Sequence, residues 1–217
     1  MEIKELRDKF TVYVFCDSSV TGEEKDMIIH AMKEIAPLYG CSFYFKDGGN
    51  WGNGKYASCD DVIAHAKVNL KGQVNASDIL TGMKEILEAW SAKGAMFIFT
   101  SRDLYLKKNW CFGAARVGGG VSVQSMARFR DLDDEVKQAV ITRTLRHELG
   151  HVHKCAADPK RANTESKYGM HCTCPGCTMR QSPTLKALIA HALEEDPADC
   201  LCKLCREDLR KFKEANY

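Results

Sequence analysis

His147, Glu148 and His151 stand in the pattern H-E-x-x-H. On a helix, residues four apart share one face, so this spacing brings two imidazoles together one turn apart. Neutral imidazole is a good zinc ligand, and two on one face make half of a tetrahedral shell. Glu148 lies about 100° round the helix from His147, close enough to reach a water at an open coordination position without binding the metal itself. It is the candidate general base. Such a site needs a rigid support. Val136, Val140, Leu145, Leu149 and Val152 supply a buried stripe for a helix running to about Lys154, with Asp131 or Asp133 available to cap its start.

A catalytic zinc needs a third protein ligand and keeps one position for water. Downstream lie His171-Cys172, Cys177, Met179 and Cys202-Lys203-Leu204-Cys205. This layout resembles the archaemetzincins, zinc metallopeptidases of the metzincin group, whose pattern is H-E-x-x-H-x-x-G-x-x-H-C-x4-C-x-M followed by C-x-x-C. The match covers His147 to His151, His171 to Met179, and Cys202 to Cys205. The resemblance implies a catalytic zinc on His147, His151 and His171 and a second, structural zinc on Cys172, Cys177, Cys202 and Cys205. It also implies a Met-turn that places Met179 beneath the histidines.

The chain departs from the family between the second and third histidines. The family has five residues there, whereas Val152 to Met170 makes nineteen; Lys154 stands at the family glycine and Ala157 at its third histidine. Two rivals to His171 follow. Asp158 fits an H-E-x-x-H-x6-D arrangement, one residue out of register, and His153 is turned to the opposite side of the helix. The cysteines carry a parallel choice, because Cys174-Pro175-Gly176-Cys177 with Cys202-x-x-Cys205 is itself a C-x2-C…C-x2-C zinc pattern in which Cys174 replaces Cys172.

Three more segments look like archaemetzincin sequence upstream of its zinc helix: Thr100 to Tyr105, Cys111 to Ala115 and Gly118 to Phe129. The resemblance implies that Gly120, Val121, Ser122 and Val123 belong to a sheet-edge strand with which an extended substrate pairs through its main chain. The plainer reading is a glycine-rich turn before an ordinary antiparallel strand.

The rest of the chain alternates strand and helix patterns. Thr11 to Cys16, Cys41 to Phe45 and Ala95 to Thr100 read as strands, and Gly22 to Leu38, Ser58 to Leu70 and Ser77 to Lys93 as helices. Asp47 to Gly54 is a glycine-rich loop without a phosphate-binding pattern. Thr184 to Leu193 reads as a helix, and Arg206 to Lys213 as a charged terminal one. The expectation is an α+β (mixed α/β) protein of zincin-like fold: a twisted mixed sheet with an antiparallel edge strand, a long zinc helix and a C-terminal helical subdomain with a four-cysteine zinc site. It divides as 1–154, an inserted loop at 155–170, and 171–217. The polar run from Lys154 to Tyr168 reads as a surface loop, either a lid or specificity element beside the site or an untethered insertion. Tyr168 is a candidate for assisting an oxyanion.

Composition narrows the functional classes. A net charge of +2 over 217 residues makes no global case for nucleic acid or membrane, and the basic residues of the tail alternate with acidic ones. No segment approaches a transmembrane length, and no apolar run follows the charges of Met1 to Arg7, so a cytoplasmic location is expected. In that setting eleven cysteines, six of them between Cys172 and Cys205, read as metal ligands rather than disulfides. Cys155 and Cys200 are spare, and Cys16, Cys41, Cys59 and Cys111 read as small apolar fillers. Cys174-x-x-Cys177 lacks the strand-to-helix setting of a redox pair. His30, His65 and His191 read as structural or surface residues. The expected activity is hydrolysis of a peptide or protein substrate by a zinc-activated water, with two zinc ions, one catalytic and one structural. The competing class is a zinc-stabilised binding or adaptor protein whose H-E-x-x-H site is not catalytic.

Overall fold

The computed structural model describes residues 10–48, 51, 55–90, 93–167 and 169–217. The chain opens with β1 (Thr11–Cys16), whose β-branched and aromatic side chains are almost all buried. α1 (Gly22–Tyr39) follows. Its start is set by a capping box in which the Thr21 hydroxyl accepts from the Glu24 N–H while the Glu24 carboxylate accepts from the Thr21 N–H. Then come β2 (Ser42–Asp47), α2 (Cys59–Ala64), β3 (Val74–Asn75), α3 (Ala76–Ala89) and β4 (Gly94–Thr100). β5 (Leu104–Leu106) and β6 (Asn109–Cys111) form a hairpin, and β5 also pairs with β3. β7 (Gly113–Ala115) and β8 (Val121–Ser125) lead to α4 (Asp134–Val152). The C-terminal part holds β9 (Thr164–Glu165), β10 (His171–Cys172), α5 (Leu185–Glu194) and α6 (Lys203–Asn216).

The main sheet runs in the order β2-β1-β4-β8-β7. Its first four strands are parallel, and β7 is antiparallel to β8. Strand alternation divides the core into two layers. On one face Val12, Val14, Phe97 and Phe99 pack with Ile28 and Ile35 of α1 and with Val140, Leu145 and Leu149 of α4. On the other, Phe15, Met96, Ile98 and Val123 pack with α2 and α3. Leu188 of α5 and Leu209 of α6 join the first layer. Buried on both sides, α4 cannot tilt without disturbing the sheet. No helix among the described residues is long and apolar enough to cross a membrane.

Four expectations are corrected. Gly120, Val121, Ser122 and Val123 do not lie at the sheet edge: Val121–Ser125 is fully buried, with β4 paired on one side and β7 on the other. The edge on this side is Gly113–Ala115, because the chain after β6 folds back along β8. The helix expected over Ser58 to Leu70 stops at Ala64. There the Asn69 side chain accepts from the N–H groups of Lys71 and Gln73, replacing helix with a turn. Asp133 occupies the N-cap of α4, yet its side chain makes no capping bond. Finally, the segment after Lys154 is not untethered. Cys155 and Ala156 are fully buried, the Ala156 N–H donates to Asp208 on α6, and Arg161 forms an ion pair with the same carboxylate. Tyr168 and most of the glycine-rich loop lie outside the described residues.

Candidate metal centre and cleft

α4 carries His147 and His151 one turn apart, and their Nε2 atoms lie 3.1 Å from each other. The third imidazole arrives on a different element. His171 begins β10 and brings its Nε2 to 3.3 Å from that of His151. All three ligand atoms fall within 4.8 Å of one another.

Tautomer and charge suit a cation. His147 Nδ1 lies 2.7 Å from the Thr178 carbonyl, which can only accept, so Nδ1 carries the proton and Nε2 presents its lone pair. Burial holds His147 well below its ordinary pKa, takes His151 down to about 3 with a further push from His171, and lowers His171 as well. The rings are therefore neutral, the form that binds metal. Beside them Glu148 is buried, and burial pushes its carboxyl up to about 8. Its Oε2 has no hydrogen-bond partner among the described residues. Three converging neutral nitrogens beside an unpartnered carboxyl fit a zinc ion and its water.

A buried ionic group fixes this arrangement from behind. Glu195, at the end of α5, pairs with both Arg143 and Arg146 of α4. The Thr178 hydroxyl donates to the same carboxylate at 2.6 Å. Arg143 also donates to the carbonyls of Cys177, Thr178 and Arg180 at 3.3–3.4 Å. So the carbonyl that orients His147 is itself held by a residue one turn earlier on the same helix. Sequence reasoning missed Arg143, Arg146, Thr178 and Glu195. The two arginines left a signal, since both interrupt the buried part of an otherwise apolar helix face; Glu195 left none.

Met179 closes the floor. Its sulfur packs against Gly150, and its carbonyl accepts from the Cys172 N–H at 2.9 Å. Next to it the thiols of Cys172, Cys177, Cys202 and Cys205 form a second group of potential ligands within 4.8 Å. Cys174 is outside that group. Hydrogen bonds from Cys172 and then Cys205 draw the Cys177 thiol down, while contacts with Cys172 and Cys177 push that of Cys205 up, as expected of sulfurs close enough to share protons.

His153, Asp158 and His191 point away from this centre. His153 is buried on the far side of α4, with Nε2 2.9 Å from the Tyr217 hydroxyl. Asp158 accepts from the Lys160 N–H in a turn. His191 meets Ser182 at 2.8 Å. Cys111 packs against the core layer beneath α2 and α3 as expected and also lines the cleft, where burial, then Glu148, pushes its thiol up to about 12.

The histidines open onto a cleft of about 530 Å³, lined by Trp110, Phe112 and Val117 on the β7 side and by Met170, Pro183 and Leu188 opposite. Among the described residues no strand lies beyond β7. Phe112 and Arg116 bond to β8 through Phe112 O and Arg116 N, so alternation turns the N–H and C=O groups of Gly113 and Ala115 toward the cleft.

No protein-family model matches the chain. It is similar to the archaemetzincin of Methanopyrus kandleri, with 31% identity over 153 residues that span 68% of this chain and 71% of that protein. The crystal structure of the Methanopyrus kandleri archaemetzincin superposes with a TM-score of 0.67 over 95% of this chain and 96% of the other, at 20% identity. The archaemetzincin of Archaeoglobus fulgidus, solved in complex with malonate, gives a TM-score of 0.61 over 92% and 99% of the two chains, at 18% identity. The two structures establish a common fold, and the sequence relationship over more than two thirds of each protein establishes kinship: this chain belongs to the archaemetzincin family.

Proposed function

We propose that the protein is a zinc-dependent metallopeptidase that hydrolyses peptide bonds, with Glu148 as general base. The observation that carries this reading is the convergence of three neutral Nε2 atoms beside a buried carboxyl whose Oε2 has no partner among the described residues. His147, His151 and His171 would hold the catalytic zinc. Cys172, Cys177, Cys202 and Cys205 would hold a second zinc that closes its shell on four sulfurs and serves folding alone. When bound, the catalytic zinc supplies Lewis acidity that acidifies water and polarises a carbonyl.

The chain's own groups do the rest. The outward N–H and C=O groups of Gly113 and Ala115 pair with the main chain of an extended peptide and set its register over the histidines. Glu148 takes a proton from the attacking water and passes it to the leaving nitrogen. Burial alone raises the pKa of this carboxyl, and the positive charge of a bound zinc would lower it again toward the ionised form that a base needs. The Thr178 carbonyl and Arg143 keep His147 in its binding tautomer throughout.

The test is zinc per chain by elemental mass spectrometry together with turnover of unstructured peptide substrates. Two zincs are expected in the protein and one in His171→Ala. Glu148→Gln should keep both zincs and lose turnover; hydrolysis retained by that variant defeats the mechanism.

A further inference from the structure

The segment between the second and third histidines is longer than the family spacing, and two of its side chains point at sulfur. Arg161, only 9% exposed, donates from Nη2 to Cys205 Sγ at 3.2 Å while Nη1 pairs with Asp208. The Asn163 amide nitrogen lies 3.4 Å from Cys172 Sγ, 3.0 Å from Cys174 Sγ and 3.7 Å from Cys202 Sγ. Four thiolates around one divalent ion leave two negative charges to be buried, and N–H donors aimed at the sulfurs are what offsets that cost.

The same segment grips the third histidine. Thr164 and Glu165 pair with Cys172 and His171 in the β9-β10 ladder, and the Asn163 carbonyl accepts from the Thr173 N–H at 2.9 Å. Asn163 thus faces the cysteine cluster with its side chain and holds the strand bearing His171 with its backbone. His171 and Cys172 are sequence neighbours, so one ligand of each group moves with that strand. At the far end the segment is anchored to α6 through Ala156 and Arg161, both on Asp208.

We propose that residues 155–167 make the metal affinity of the histidine site conditional on the cysteine site, with Arg161 and Asn163 as the positioning residues. An occupied cysteine site draws Arg161 and Asn163 onto the thiolates, which fixes β9 and so holds His171 in place. With that site empty, the sulfurs no longer hold the segment and His171 loses its register. The inference rests on the metallopeptidase reading for the two metal sites, but concerns their order of filling, not the chemistry.

Cobalt(II) is the probe, because thiolate coordination gives an intense near-ultraviolet charge-transfer band that an all-histidine site lacks. In the wild-type protein, metal-free chain titrated with cobalt should develop the thiolate band first and the weaker histidine-site visible band only afterwards. Simultaneous filling, or the histidine band first, would overturn the proposal. Asn163→Asp keeps the size of the side chain but sets a carboxylate against the sulfurs. Chelator competition should show affinity at the cysteine site weakened about 10- to 100-fold, with the histidine site weakened alongside although none of its ligands is altered. A variant that loses affinity at the cysteines alone, or at neither site, sinks the link and leaves the peptidase reading standing. Failure of the wild-type histidines to take metal defeats both.

Discussion

Met179 occupies the space that Gly150 leaves empty: a Cβ at position 150 would stand 2.2 Å from the methionine sulfur and 3.2 Å from its terminal methyl. One position between the two helix histidines is therefore kept bare so that the turn beneath can touch the backbone. Gly150→Ala should destabilise the fold by about 1–3 kcal/mol through overpacking, read as a lowered urea midpoint. A midpoint equal to wild type would mean that Met179 can move aside freely.

Gly113 holds a similar place against Glu148. A Cβ there would lie 2.9 Å from Glu148 Oε1 and 3.1 Å from the Val123 carbonyl. Gly113→Ala is expected to displace the carboxyl and lower kcat by an order of magnitude or more, on the order of the contribution of a positioned general base, while zinc content stays at the wild-type level. Full activity in the alanine variant would show that Glu148 has room to spare.

Removing the charge of Glu195 should be costly, because it pairs with two buried guanidiniums, of which, among the described residues, Arg146 alone has another carboxylate, Glu34, at hand. Glu195→Gln should cost about 3–5 kcal/mol, the usual result of breaking a buried pair from one side. Urea unfolding measures this directly. A loss below about 1 kcal/mol, the value of an exposed pair, would mean that water reaches the arginines.

Acid should loosen one wall of the cleft. Burial pushes the Asp103 carboxyl up, but hydrogen bonds from Arg128 and Gln73 outweigh it and hold its pKa below the ordinary value. Arg128 in turn lies over the Trp110 ring at 4.2 Å. A folded pKa below the unfolded one gives stability that is complete above the unfolded value of about 4 and is lost as pH falls through the folded pKa. The indole N–H resonance of Trp110 should shift below about pH 4 and show no such step in Asp103→Asn. An identical step in both proteins would assign it to another group.

Chelation should act locally. Metal removal is expected to raise amide hydrogen exchange in residues 155–167, 171–179 and 200–205, where few backbone ladders compete with the ligands, and to leave β1 and β4 protected. Uniform exchange across the chain after chelation would mean that the whole fold depends on metal.

Much of the architecture was legible because the relevant side chains declare themselves. Thr11–Cys16 and Gly94–Thr100 are dense in β-branched and aromatic residues, and the helical spacing of His147 and His151 brought them together as expected. The true edge strand was hidden, since Gly113, Ala114 and Ala115 carry almost no side chain from which a strand preference could be read. Val121–Ser125 was expected at the edge on the family resemblance alone, yet β7 folds back along it and even Ser122 is fully buried. Glu195 sits in the polar run Glu194 to Asp199, and its partners lie 49 and 52 residues earlier in the chain. Arg161 and Asn163 were equally well disguised within a hydrophilic stretch, because what they meet is sulfur supplied by distant cysteines.

The brevity of β7 has another consequence. An open sheet edge is a template on which a second chain can add a strand, and long flat edges invite aggregation. Three residues, two of them with outward main-chain groups, give a passing strand too little ladder to hold it without something else to bind. On the function proposed above, a peptide lying across the histidines would have that something else. Too short to hold a strand unaided, this edge would also keep copies of the protein from zipping onto one another in a crowded solution.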